Sequence, residues 1–225
     1  MLDAFRHCLP AERLGRCHSS LHQFQETIDH HEIRKTKEYS LVMVTEPENQ
    51  RILLGRKHRG FGKGMFNSFG GKLDLGESAL DSAVRELEEE TGIVVPAAHL
   101  GERKVGSMNF SFEDSDTAML VHVYRLNVSC GQQQQQPQQP SSLSDERYFG
   151  IDPNQIRPCD EITPQWFDNW YDVPLHNMFA DDSLWLTRVL DSTHDIEIDG
   201  HFHFEPGGQD VNSIRHYFMD VRTKG

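Results

Sequence analysis

Residues 77–93 constrain the fold of this chain more than any other stretch. Leu80, Ala83, Val84 and Leu87 recur at i, i+3, i+4 and i+7, the spacing of an apolar stripe along one side of a helix. Gly92 follows as a natural C-terminal stop. The pattern predicts a helix from about Glu77 to Thr91 that lays one face on a core. Its last turns read Arg85-Glu86-Leu87-Glu88-Glu89-Glu90-Thr91, which runs against helix electrostatics. A helix C-terminus carries partial negative charge and favours cations. Glu86, Glu89 and Glu90 also share one face and repel one another. Such a cluster calls for a positive partner. A divalent cation is the natural one, because hard cations take carboxylate oxygens.

Around this helix the chain alternates short strand patterns with turns. Ser40–Val44 and Arg51–Leu54 read as strands joined at Glu46-Pro47-Glu48-Asn49. A glycine-rich stretch, Gly60-Phe61-Gly62-Lys63-Gly64, and the pair Gly70-Gly71 lead into the helix. Lys104–Phe112 and Met119–Leu126 are strands, the second with Val121 and Val123 alternating. Gln132–Gln139, broken by Pro137, is low complexity and predicts a disordered surface insertion at about residues 130–145. Order is expected to return near Trp166-Phe167. A second helix is expected over Asp181–Leu190, and late strands over Asp195–Phe204 and Ser213–Val221. Strands interleaved with a few helices indicate an α+β domain of α/β/α layers. Residues 1–38 read as an extension, partly helical or disordered, ahead of a domain over 39–222.

Composition narrows the partners. In 225 residues the net charge is −13, which argues against non-specific nucleic-acid binding. An anionic substrate therefore needs a locally positive site, which a bound metal supplies. No apolar run is long enough for a membrane-spanning helix. Cysteines at 8, 17, 130 and 159 show no paired short spacing, so neither a disulfide framework nor a zinc knuckle is expected. Cytosol or nucleus fits that usage. Arg6, Arg13 and Arg16 with Ser19 and Ser20 hint at a mitochondrial presequence, but Asp3 and Glu12 oppose it. A monomer is the default expectation.

The spacing from Gly71 to Ile93 is the strongest signal. It runs Gly71, five residues, Glu77, seven residues, Arg85-Glu86-Leu87, one residue, Glu89-Glu90, one residue, Gly92-Ile93. This resembles the Nudix box with every fixed position filled. The resemblance implies a mixed β-sheet flanked by helices and a Mg²⁺-dependent diphosphate hydrolysis, with Mn²⁺ as an alternative. It also implies Gly70, Glu86, Glu89 and Glu90 as metal ligands, with Glu90 as base and Glu86 as the runner-up. Arg85 and Glu89 form an i, i+4 pair, and Glu77 lies about two turns earlier. Arg85 and Glu77 are therefore orienting residues.

The flanks resemble the MutT-type branch that acts on oxidised purine nucleoside triphosphates. Lys57-His58-Arg59-Gly60-Phe61-Gly62-Lys63-Gly64-Met65-Phe66-Asn67, Phe110-Ser111-Phe112, Asp160-Glu161 and Phe179-Ala180-Asp181-Asp182-Ser183-Leu184-Trp185 carry it. His201-Phe202-His203-Phe204 and Gly208-Gln209-Asp210 extend it. On that resemblance Asn67, Asp181 and Asp182 read the base edge. Phe61, Phe110, Phe112, Met119, Phe179 and Trp185 line the base pocket. Ser40, Lys57, Phe69, Gly70, Gly71, Lys72 and Ala180 lie near the nucleotide, and Glu161 is a further metal or catalytic carboxylate. Relatives carry tryptophan at 179 and threonine at 40, so the smaller Phe179 stacks less strongly on a purine.

Two adjacent carboxylates on an aromatic floor cannot both ionise cheaply, so one should hold a proton. A neutral acid donates and an ionised one accepts, a pairing that matches 8-oxoguanine and, by proton exchange, 2-hydroxyadenine. The plainer reading of Asp181-Asp182 is an N-cap with a first-turn acid. Phe110 and Phe112 equally fit core packing. His201 and His203 read as strand-surface residues, His30-His31 as solvated, and Trp166 and Trp170 as packing.

The expected activity is hydrolysis of 8-oxo-dGTP and 2-hydroxy-dATP to the monophosphate and pyrophosphate, sanitising the nucleotide pool. Competing readings are an O6-alkylated guanine nucleotide, a dinucleoside polyphosphate, a diphosphoinositol phosphate or a non-catalytic Nudix module. The diphosphoinositol substrate calls for a strongly basic pocket, which this acidic chain does not advertise.

Overall fold

The computed structural model describes residues 14–28, 32–130, 148–191, 195–206 and 213–224. The glutamine-rich segment and His30-His31 lie outside the described residues, as does Cys8. The strands are β1 (Leu14–Cys17), β2 (Lys35–Glu46), β3 (Arg51–Lys57), β4 (Phe66–Asn67) and β5 (Lys104–Phe112). They continue with β6 (Thr117–Ser129), β7 (Phe149–Gly150), β8 (Ile162–Phe167), β9 (Ile196–Phe204) and β10 (Ile214–Thr223). The helices are α1 (Leu21–Ile28), α2 (Ala79–Thr91), α3 (Ala97–Gly101) and α4 (Asp182–Asp191).

All ten strands join one mixed sheet, ordered β1-β10-β9-β5-β6-β2-β3-β4, with β7 beside β6 and β8 beside β3. The ladders β2/β6, β5/β9 and β1/β10 are parallel, while β5/β6, β9/β10 and β2/β3 are antiparallel. The expected strands are present and mostly longer. β2 begins at Lys35 because it pairs with β6 over its whole length, from Lys35↔Thr117 to Thr45↔Asn127. Order returns well before Trp166, at β7 and β8. These short or proline-bearing segments pair with β6 and β3, partners that local pattern does not reveal.

Alternation along the strands sends side chains to two cores. Val42, Val44 and Leu53 pack with Ala83, Leu87 and Leu100 of α2 and α3. Met43, Ile52 and Leu54 point the other way, to Trp185, Leu186 and Val189 of α4. Both faces are therefore covered, and residues two apart on one strand serve the same layer.

Residues 14–28 take part in this architecture. β1 extends the sheet along β10, and the buried Phe24 ring of α1 lies 5.8 Å from that of His201. This corrects the surface reading of His201 and His203. They occupy the face of β9 opposite Phe202 and Phe204, and α1 covers that face. His203 is fully buried, bonded to Ser111 Oγ at 2.8 Å and Glu113 at 2.8 Å. Trp166 and Trp170 are packing residues as read: Arg51 stacks over Trp166 at 4.6 Å, and Trp170 is buried.

Candidate active site

Helix α2 starts where Ser78 accepts a hydrogen bond from Asp81 N–H and stops at Gly92, whose φ is +79°. Between these caps its polar face is organised by Arg85. The guanidinium grips Glu77 with two hydrogen bonds of 2.8 and 2.9 Å. It also donates to Glu86 at 2.8 Å and Glu89 at 3.3 Å. One cation, anchored on Glu77 ahead of the helix, thus offsets two of the anions that crowd the helix end. Arg85 holds the Glu77 carboxyl down at about 2.

Glu90 lacks that help. It is buried behind the glycine pair, where Gly70 N–H donates to its Oε2 at 2.9 Å. Burial pushes its pKa up to about 7, against the lowering effect of Gly70 N–H and Lys57, and Glu86 and Glu161 add repulsion. Glu86 is raised by burial as well, with Arg85 opposing and Glu89 and Glu161 contributing. The two glycines make this approach possible. A Cβ on Gly71 would overlap the Glu86 carboxylate, and one on Gly70 would overlap the Ser40 carbonyl.

Among the described residues no three acidic or imidazole groups already converge on one point as a metal cage. Arg85 holds Glu86 and Glu89, and the Gly70 amide holds Glu90. The donor chemistry nevertheless fits a divalent cation. Hard oxygens from Glu86, Glu89, Glu90 and Glu161 are mutually repulsive, and the buried Glu90 has no cation bonded to it.

Beside this cluster a cavity of about 330 Å³ opens between the sheet and the start of α4. Thirteen of the residues expected near a nucleotide line it: Ser40, Lys57, Phe61, Asn67, Gly70, Gly71, Phe110, Phe112, Met119, Phe179, Asp181, Asp182 and Trp185. Three do not. Phe69 is wholly buried in the α2-side core, Ala180 is wholly buried in the α4-side core, and Lys72 lies in the bridge to Tyr39. Ser40 contributes its wall through the main chain, because its hydroxyl is bonded to Ser82 of α2 at 2.9 Å. Pleating explains this: Tyr39 and Leu41 face the cavity, so Ser40 faces the helix.

Tyr39, Leu41, Met108, Val121 and Phe204 complete the lining and were absent from the sequence-based set. A signal existed. Met108 and Val121 stand two residues from Phe110 and Met119, and extending the strand alternation would have found them. Tyr39 and Leu41 are out of phase with the expected Ser40, and Phe204 reaches the wall through its pairing with Phe112.

At the α4 end, Asp181 and Asp182 are buried side by side. The plain capping reading fails for Asp181, whose Oδ2 accepts the Trp185 indole N–H at 3.0 Å. Asp182 Oδ2 accepts Phe179 N–H at 3.0 Å. Burial raises Asp181 to about 6, opposed by the Trp185 bond. Asp182 is pushed well above the usual carboxylate range by burial and by the charge of Asp181. Burial raises both carboxyls and each charge opposes the other, so ionising the two together is disfavoured. Phe61 stacks on Phe179 at 5.3 Å with the planes 15° apart.

Residues 35–170 match the NUDIX domain. The chain is 35% identical to the oxidized purine nucleoside triphosphate hydrolase of Danio rerio over 176 residues, 78% of this chain and 90% of that protein. It is likewise 35% identical to the oxidized purine nucleoside triphosphate hydrolase of Mus musculus over 181 residues, 80% of this chain and 92% of that one. The crystal structure of a MutT protein from Bacillus halodurans shares the fold, with a TM-score of 0.54 at 21% identity, covering 82% of this chain and 97% of that chain. With the box spacing, the sheet topology and the glutamate face in agreement, the chain belongs to the Nudix family of hydrolases.

Proposed function

We propose that this Nudix hydrolase cleaves modified purine nucleoside triphosphates to the monophosphate and pyrophosphate, with 8-oxo-dGTP and 2-hydroxy-dATP as its substrates. One observation carries the reading. A single cavity runs from the glycine pair that buries Glu90 to two adjacent buried aspartates whose carboxyls burial raises. Phosphate chemistry and base reading thus meet in one space. The names of the two animal relatives support the same substrate class.

Nudix hydrolases generally use divalent metal ions. Mg²⁺ held by Glu86, Glu89, Glu90 and Glu161 would neutralise phosphate oxygens and make water easier to deprotonate. The chain's own groups do the rest. Glu90, whose buried carboxyl is tuned near neutrality, takes the proton of the water that attacks the β-phosphorus. The bond from that phosphorus to the α-phosphate oxygen breaks, and the monophosphate leaves. Arg85 keeps Glu86 and Glu89 oriented while Glu77 anchors Arg85. At the far end, protonated Asp182 donates to the base, ionised Asp181 accepts from it, and Phe179 supplies the stacking ring.

The test is a panel of dGTP, 8-oxo-dGTP, 2-hydroxy-dATP, O6-methyl-dGTP and a dinucleoside polyphosphate with Mg²⁺, read as pyrophosphate or monophosphate release. Preference for the two oxidised purines by tenfold or more in kcat/KM is expected. Equal turnover of dGTP, or turnover of the dinucleoside alone, would overturn the assignment. Binding without any release would make the protein a nucleotide-binding module.

A further inference from the structure

The loop between β3 and β4 links the two ends of the cavity. It is a closed hairpin. Gly64 N–H donates to Lys57 O at 2.9 Å, Met65 N–H to Gly62 O at 2.9 Å, and Gly60, Gly62 and Gly64 all have positive φ. Its base is fastened in three ways to β8 and to Glu161 just ahead of it. His58 N–H donates to Glu161 O at 2.7 Å, the His58 ring meets Thr163 Oγ1 at 2.7 Å, and the Arg59 guanidinium pairs with the Glu161 carboxylate. Its tip carries Phe61, half exposed and stacked on Phe179 next to the aspartates.

Glu161 therefore has two claims on it. Through Arg59 it steadies the loop that presents Phe61. Through space it acts on Glu86 and Glu90, adding to the repulsion at both. The Arg59–Glu161 pair is exposed on both sides, 62% and 49%, and solvent-exposed pairs are weak enough for a competing cation to displace.

We infer that Arg59 is a positioning residue: it latches the glycine-rich loop to Glu161 while the metal site is empty, and lets go when a divalent cation takes that carboxylate. The latch makes the setting of Phe61 over the base cavity respond to metal. It rests on the proposed substrate reading only for its purpose, since the latch itself is a property of loop and cation.

The experiment is hydrogen–deuterium exchange of the loop amides His58–Met65 in the full chain, with and without Mg²⁺, in wild type, Arg59→Gln and Arg59→Lys. Arg59→Gln should speed exchange about two- to fivefold without metal, the scale of an exposed ion pair. Mg²⁺ should speed wild-type exchange to the same level and leave Arg59→Gln unchanged, with Arg59→Lys in between. Exchange in Arg59→Gln equal to wild type, or an equal Mg²⁺ effect in both, would overturn the latch. Affinity for 8-oxo-deoxyguanosine, followed by quenching of Trp185 fluorescence, separates the two readings. Absent nucleoside binding in wild type sinks the base assignment, while the exchange data still decide the latch. A metal-induced loss of nucleoside affinity in wild type alone supports both.

Discussion

The glutamates of α2 and the aspartates ahead of α4 are both crowded carboxylates, and the fold treats them in opposite ways. On α2 the charge is retained. Arg85 binds Glu77, Glu86 and Glu89, and only Glu90 is sunk far enough to approach neutrality. At Asp181-Asp182 no cation among the described residues is paired with either carboxyl, and burial among aromatic side chains raises both. Retained charge suits a cation and phosphate chemistry. Split protonation suits hydrogen-bond reading of a base. Environment assigns the roles, because residue type is nearly the same.

The sharpest way to break this contrast is Glu90→Gln. It keeps the shape and the Gly70 contact but removes the proton acceptor. Pyrophosphate release should fall by about 10²–10⁴-fold in kcat, with KM little changed. Activity within tenfold of wild type would move the base to another carboxylate.

Asp181→Asn should cut kcat/KM for 8-oxo-dGTP by about 10- to 100-fold, the scale of a buried hydrogen bond to a charged group. Its stability should change in the opposite direction. A carboxyl raised from 3.8 to about 6 on folding contributes stability that is present below pH 4 and lost as pH rises through 6. At pH 8 that loss amounts to about 3 kcal/mol, so urea unfolding should show the variant more stable than wild type there, with the gap closing by pH 4. A gap that ignores pH would mean that burial does not raise the Asp181 carboxyl.

Arg85→Ala tests the other region. Glu77, held near 2, contributes stability that is present above about 4.5 and lost as pH falls towards 2. The variant should have a lower urea midpoint at pH 7, and the difference should narrow below pH 4.5. More Mg²⁺ should be needed for half-maximal activity, since Glu86 and Glu89 are no longer oriented. The smallest effect is expected from Phe179→Leu. Removing the ring should raise KM for the purine substrate about two- to fivefold and leave kcat near wild type.

Much of the metal end was legible in the chain. Helix periodicity, the stop at Gly92 and the i, i+3, i+4 glutamates are local relations. A helix realises them wherever it packs. The far end was less legible. The family resemblance placed Phe110, Phe112 and Met119 on the pocket wall, while strand alternation alone fitted core packing of Phe110 and Phe112 equally well. Neither gave a hint that Phe24 of α1 would pack on His201, or that Phe69 and Ala180 would turn into the two cores. Those outcomes depend on which strands become neighbours. The parallel β2/β6 and β5/β9 ladders join segments far apart in sequence.

The sequence by itself determined the family, the reaction chemistry and the glutamate face, because these follow from residues within a single helix and its glycine approach. Only the tertiary structure decided three things: that the Ser40 hydroxyl belongs to α2, that Glu161 pairs with Arg59 while its charge acts on Glu86 and Glu90, and that burial raises both adjacent aspartates. Each depends on burial and on charges brought together from distant segments. Desolvation is a property of the assembled layers and of no stretch of chain alone.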